Sequence, residues 1–189
     1  MERTHRERVV ITAVHHLRAR GVTGTGLRPL VADAGAPWGS FAHYFPGGKD
    51  QVVCEALDWA GAFAASIVTR YVETARRPTA LGLWHAVVTW WVDDLTRHNF
   101  ALGCPVAAAI ADSAEGSEPI RSAAAAAMQT WRAPIRDGLV GLSFTRRDAD
   151  ELSTVLLAGL AGGIILARAE RNVAPLRVVE RRLRPLLVR

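Results

Sequence analysis

Between Thr25 and Lys49 the chain sets out a row of groups suited to meeting a phosphate or the edge of a base. Thr25 and Ser40 bring hydroxyls, Arg28 a guanidinium and Lys49 a compact positive charge. Trp38, His43 and Tyr44 bring rings with polar edges. Hydroxyls and Lys49 suit the sugar–phosphate backbone. Arg28 is the one member of the set able to form the bidentate contact that singles out guanine.

Such groups act together only if the backbone presents them together. Residues 27–34 (LRPLVADA) predict a short helix with Leu27, Leu30, Val31 and Ala34 on one face. Gly35 supplies a permissive turn, and Pro37 suits the first position of a following helix. Residues 38–45 form that helix, about two turns long, and Pro46-Gly47-Gly48 stops it. Phe41, Tyr44 and Phe45 can hold its inner face, leaving Trp38, Ser40 and His43 outward. Ahead of this, residues 4–20 predict a first helix with Val10, Ala13, Val14 and Leu17 at helical spacing, packed behind the two short ones. Short helix, glycine turn and short helix form a helix-turn-helix, whose second helix lies in the DNA major groove. Its DNA-contacting set is Thr25, Arg28, Pro37, Trp38, Ser40, His43, Tyr44 and Lys49.

The same stretch resembles the TetR family of bacterial transcriptional regulators, through Thr25, Leu30, Ala34-Gly35, Gly39, His43-Tyr44-Phe45 and Lys49. FPGGK at 45–49 and GCPVAA at 103–108 resemble its LmrA/YxaF-type subgroup. Members usually carry a tyrosine that often touches a phosphate where this chain has Ala42, so that contact is not carried over. Gly26 is a smaller departure. The resemblance implies an all-α chain with a helix-turn-helix head and a helical body that binds an apolar effector and forms a homodimer. Two heads would then read a near-palindromic operator.

Charge is distributed in keeping with a nucleic-acid partner at the N-terminal end. The chain carries +5 overall, but residues 1–50 hold seven Lys/Arg against four Asp/Glu, and residues 51–167 hold nine against twelve. Residues 168–189 are basic again, seven against two, which reads as a solvated helical face. Half of the 189 residues are apolar, enough for a real core. Two cysteines, Cys54 and Cys104, stand in no metal-type spacing and read as free thiols of a reducing cytosol. The charged start lacks the apolar run of a signal peptide, and the apolar run between Glu151 and Arg168 is short and mixed for a membrane span. The expected location is cytoplasmic, without membrane, metal or cofactor.

Beyond residue 48 the periodicity predicts helices over 49–76, 79–99, 106–111, 119–142 with Pro134 inside, 145–169 and 175–188, with a loop at 112–117. The expected division is a DNA-binding domain over 1–48 and an effector-binding and dimerisation domain over 49–189. Large rings among small residues and few polar groups have the composition of a small-molecule site, drawn from Trp59, Phe63, Trp84, His85, Trp91, Phe100, Cys104, Met128 and Trp131. Residues 152–167 are apolar nearly all round and need cover on more than one side. The expected dimer seam is Leu152, Leu156, Gly159, Gly163 and Leu166 with Leu176, Val179 and Leu183, in a four-helix bundle.

No catalytic motif for a serine nucleophile, phosphate loop, dinucleotide or metal appears, so a non-enzymatic regulator is expected. The competing reading is a small helical enzyme or ligand carrier with a vestigial head. It would use a thiol–imidazole pair of Cys104 with His98 or His85. His15 and His16, on different faces of the first helix, and the pair Asp93-Asp94 read as solvated.

Overall fold

The computed structural model describes residues 3–112 and 117–188. Among them there is no strand. The α-helices are α1 (His5–Arg20), α2 (Leu27–Asp33), α3 (Trp38–Tyr44), α4 (Gly48–Thr74), α5 (Ala80–Arg97), α6 (Pro105–Asp112), α7 (Glu118–Gly141), α8 (Arg146–Glu170) and α9 (Ala174–Leu183), with a closing 3₁₀ turn at Arg184–Leu187. Most of the loop expected at 112–117 lies outside the described residues. Packing divides the chain into two compact units: Met1–Gly61 with Cys104–Met128, and Ala62–Gly103 with Gln129–Arg189.

In the first unit, α1 begins with a reciprocal cap in which the Thr4 hydroxyl accepts from the Glu7 amide and Glu7 accepts from the Thr4 amide. Hydrogen bonds from the Thr4 amide and the Thr4 hydroxyl hold the Glu7 carboxyl below the usual carboxylate range. Val9, Val10, Ala13, Val14 and Leu17 are buried, and α1 packs against α2 and α6. Asp112, at the end of α6, accepts from the Thr23 amide at 3.1 Å. The turn after α1 opens on Gly21 (φ +71°). His16 is a correction to the sequence reading. It is buried, and its Nε2 lies 2.9 Å from Asp33 Oδ2, tying α1 to α2.

Gly61 explains how two helices of this unit come close. A Cβ built on it would stand 2.9 Å from the Ala127 carbonyl oxygen and 3.0 Å from the Ala127 Cα. Both are backbone atoms of α7 and cannot swing aside.

In the second unit, Leu83, Trp84, Val87, Val88, Trp91 and Leu95 form the buried stripe of α5. Asp94 is also buried, not solvated, with Oδ1 3.4 Å from His98 Nδ1. After α5, Asn99 (φ +49°) and Phe100 (φ +60°) are both left-handed, an uncommon backbone for residues with side chains. Two arginines from the end of α8 hold this turn. Arg168 donates to the carbonyls of Phe100 and Ala101, and Arg171 to the Asn99 side chain at 3.0 Å. Gly103 leaves room for this, since a Cβ there would meet the Arg168 guanidinium.

Helix α8 starts under Thr145, which accepts from the Asp148 amide at 3.1 Å. Its glycines correct the expected seam. A Cβ on Gly159 would meet Leu183 and Val179, and one on Gly163 would meet Leu176, so both glycines receive α9 of the same chain. Leu156 and Leu176 are fully buried in that packing. Pro185, which cannot donate into an α-helical ladder, follows the end of α9 and lies in the 3₁₀ turn.

By length and composition α4 and α8 are apolar enough to cross a membrane. Within those stretches, half of α4 and 39% of α8 is buried. The exposed surface of α8 includes a stripe of small and apolar residues, Val155, Ala158, Gly162, Ile165 and Leu166.

An open helical glycine replaced by alanine gains about 1 kcal/mol of helix preference. Gly61→Ala should do the opposite, destabilising the protein by about 1–3 kcal/mol through overpacking against Ala127. Thermal unfolding followed by circular dichroism should show a midpoint lowered by about 2–4 °C per kcal/mol; a raised midpoint would remove the close approach.

Candidate DNA-binding surface

Helices α2 and α3 have seven residues each, and neither begins with a side-chain cap. Leu30, Val31, Ala34, Phe41 and Phe45 bury their inner sides. Gly35 (φ +59°) makes the turn between them, and Gly48 (φ +63°) the turn into α4. Pro37 occupies the cap position rather than the first helical one, with extended backbone.

The sequence gives no sign of what holds the α2–α3 turn. Arg8, one helix away, donates from Nε to the Ala34 carbonyl and from a terminal nitrogen to the Gly35 carbonyl, both at 3.1 Å. A third nitrogen donor reaches the Arg3 carbonyl. Only a planar fork with several donors can bridge two successive carbonyls in this way. Arg6 adds a second clamp, 2.7 Å from Glu55 and 5.5 Å from the centre of the Phe45 ring. Together Arg8, Arg6 and His16 fix the two short helices onto α1.

Outward from this frame stand the groups able to meet DNA. Trp38 is 49% exposed and stacks parallel on Phe41, ring centres 5.4 Å apart. The Arg28 guanidinium carbon lies 5.8 Å from the Trp38 ring centre, so the first turn of α3 supports the arginine from α2. His43 is exposed and Ser40 half-buried. Tyr44 is 38% exposed with an edge contact to His43, placing it on the outer side rather than among the rings that hold α3 down. Lys49 sits half-buried in the first turn of α4. Ala42 is exposed, as is Gly39, around which a Cβ would meet nothing within 4 Å.

Thr25 differs from its expected part. It is fully buried and donates its hydroxyl to the Gly21 carbonyl at 2.6 Å. That bond closes the turn between α1 and α2, and no face of the hydroxyl is open to a phosphate in this conformation.

The residues expected around an effector fall in several places. Phe63 meets Trp90 edge-on at 5.4 Å, Trp90 meets Trp91 at 5.0 Å, and Trp91 meets Trp131 at 6.0 Å, a continuous run of rings. Trp90 was not in the expected set; its place beside Trp91 is the one signal that pointed to it. Trp84 and His85 lie instead beside α9. There Trp84 Nε1 donates to the Glu180 carbonyl, and His85 Nδ1 is 2.6 Å from the Glu180 carboxylate. Phe100 belongs to the left-handed turn after α5. Trp59, Cys104 and Met128 belong to the first unit, where Trp59 lines a surface groove with Arg3, Arg6 and Glu55. Burial pushes the Cys104 thiol up, away from the thiolate form a nucleophile needs. His98 and His85 are engaged with Asp94 and Glu180.

Residues 81–182 match the family model described as transcriptional regulator LmrA/YxaF-like, C-terminal domain. An uncharacterized HTH-type transcriptional regulator of Mycobacterium tuberculosis is 32% identical over 188 residues, 97% of this chain and 94% of its own. The HTH-type transcriptional regulator LmrA of Bacillus subtilis is 30% identical, with 90% of each chain covered. Among solved structures, a regulatory protein TetR from Rhodobacter sphaeroides superposes with a TM-score of 0.86 at 20% identity, over 96% of this chain and 98% of that one.

The clamp and the contacts separate by salt dependence. Arg28→Ala and Lys49→Ala should each weaken DNA binding and lower the salt slope by about one unit, as for one lost phosphate contact. Arg8→Ala should weaken binding with the slope unchanged, because its donors are spent on Ala34 and Gly35. Fluorescence anisotropy across a salt series, on DNA from the region upstream of the gene, reads both; equal slopes in all three variants would overturn the assignment.

Proposed function

The chain belongs to the TetR family of transcriptional regulators, in its LmrA/YxaF-like branch, and we propose that it is a ligand-released repressor acting as a cytoplasmic homodimer, not an enzyme. Residues 1–48 are the DNA-binding head, and residues 49–189 bind effector and dimerise. The observation that carries the reading is the outer side of α2 and α3. Arg28, Trp38, His43 and Tyr44 stand exposed there over a frame that α1 holds rigid.

In this reading Trp38 faces base edges, Arg28, Lys49 and Ser40 face phosphates, and Pro37 and Tyr44 line the groove wall. Thr25 acts by bracing the turn. The apo dimer occupies a near-palindromic operator. A small apolar or aromatic effector, seated against the Phe63–Trp90–Trp91–Trp131 run, favours a state whose heads no longer fit the half-sites. That requires different effector affinity in the two states. Helix α4 is the natural lever, since its first residues lie in one compact unit and its last in the other.

Selected-oligonucleotide binding, repeated with aromatic compounds, tests this function. Enrichment of a two-fold related motif, lost on adding an effector that quenches tryptophan fluorescence, is the expected result. Absence of any enriched motif would end the repressor reading.

The dimer forms through the exposed stripe of α8, with the exposed apolar residues Val178, Leu186 and Val188 of the C-terminal end available to extend it. Gly162, where a Cβ would meet nothing in its own chain, is the close-approach point of this seam. An unpaired arginine buried there costs several kcal/mol. Ile165, 59% exposed in the single chain, is the position to charge. Ile165→Arg should sediment as a folded monomer and lose operator binding, whereas Gly159→Ala should remain dimeric. A dimeric Ile165→Arg variant would place the seam elsewhere.

A further inference from the structure

A surface groove of about 610 Å³ lies beside α5 and α9, lined by Leu81, Gly82, Trp84, His85, Arg177, Glu180, Arg181 and Arg184. Its size falls within the range of small-molecule sites. Arg177, Arg181 and Arg184 follow one another at i, i+4 and i+7, so one side of α9 and its 3₁₀ extension presents three guanidinium groups. Like charges at this spacing oppose the helix unless something neutralises them.

The carboxylate within the groove neutralises Arg177 alone. Burial raises the Glu180 carboxyl, but hydrogen bonds from His85 and Arg177 outweigh it and hold the group below its usual range. Both of its oxygens are engaged, with His85 at 2.6 Å and Arg177 at 2.9 Å. Among the described residues Arg181 and Arg184 have no acidic partner, and both are exposed. The groove therefore combines two uncommitted guanidinium groups with a half-buried apolar floor at Leu81, while Trp84, which also borders it, is almost wholly buried.

We propose that this groove binds a small organic anion, its acidic group held by Arg181 and Arg184 and its aromatic body laid on Leu81 and the exposed ring of His85. The site is separate from the run of rings assigned to the apolar effector, and it does not depend on the head binding DNA. Arginine suits the role because its planar fork accepts a carboxylate or sulfonate through two parallel bonds. Occupancy removes the repulsion along α9, which packs directly on α8 and α5.

The probe is 1-anilinonaphthalene-8-sulfonate, titrated by fluorescence into the full-length protein, against N-phenyl-1-naphthylamine, which has the same rings without the sulfonate. The expected result is one saturable site for the sulfonate that weakens with added salt, and much weaker binding of the neutral analogue. Arg181→Gln with Arg184→Gln should raise the dissociation constant at least about tenfold, which corresponds to about 1.4 kcal/mol. Arg146→Gln with Arg147→Gln removes the same charge at the start of α8 and should change nothing. Equal sulfonate affinity in the two double variants, or a neutral analogue that displaces the bound sulfonate from wild type at equal concentration, would overturn the proposal. So would a groove variant whose only defect is a DNA salt slope lowered by about two units, since the stripe would then be a track for the phosphate backbone. Should the groove variant fail to fold, the salt dependence and the neutral analogue on wild type still decide.

Discussion

A helix of seven residues does not hold its own shape in water; its nucleation cost is not recovered over so few hydrogen bonds. Both α2 and α3 are of this length, and everything the head does depends on holding them. The holding comes from α1. Its apolar face covers Leu30, Val31, Phe41 and Phe45 from within, and its polar side reaches around the edges. Arg8 takes the two carbonyls at the turn, Arg6 lies over Phe45, and His16 meets Asp33 from a buried position. Three contacts from one long helix thus fix the angle between two short ones, which is the quantity a major-groove reader must keep constant.

A second constraint is backbone approach, and the glycines divide by what they admit. Gly61 admits the backbone of α7, Gly103 the guanidinium of Arg168, and Gly159 and Gly163 the leucines and valine of α9. Gly39, Gly162 and Gly141, the last residue of α7, admit nothing from their own chain. Gly39 and Gly162 lie on the surfaces assigned to a partner, DNA in one case and a second copy in the other. A glycine in an exposed helix costs about 1 kcal/mol against alanine. Its presence where the chain itself has no use for the space fits close approach by another molecule.

Much of the architecture was legible in the sequence, because it rests on periodicity and on punctuation by Gly and Pro. Among the described residues the helices were placed with boundaries within two residues, except the last, expected to run to 188 but passing into a 3₁₀ turn after Leu183, and the helix-turn-helix was legible down to Gly35 and the stop at 46–48. What was not legible are interactions between residues distant in sequence. Nothing near Arg8 marks it as the clamp of a turn 26 residues away, and nothing near His16 marks its burial against Asp33. Thr25 misled because a hydroxyl beside a helix-turn-helix suits a phosphate as well as it suits a backbone carbonyl. The seam of α8 misled for a related reason. A helix apolar on every side does not say which stripe meets its own chain, and α9 occupies the stripe of Gly159 and Gly163, leaving Ile165 and Leu166 outward. The aromatic residues were legible as a set but not as a partition between the run at Trp90 and Trp91 and the pair Trp84–His85 beside α9.

Local rules of helix stability are broken on the outer side of α3, the surface proposed to meet DNA, which is where such conflicts are expected. Helix α3 opens on Pro37 without a side-chain cap, carries Gly39 in its first turn, and exposes Trp38 beside it. Each choice weakens the helix in isolation. Each also serves a helix that docks: a stiff entry, a bare patch of backbone, and a flat ring that supports Arg28. Helix α1, by contrast, obeys the rules throughout, with a reciprocal cap at Thr4–Glu7, an apolar stripe and a glycine at its end. The stability that α3 lacks is thus supplied one helix away, through Arg8 and the buried rings. A change on the outer side of α3 can therefore alter what the head reads while leaving its fold in place, and a change at Arg8 does the reverse.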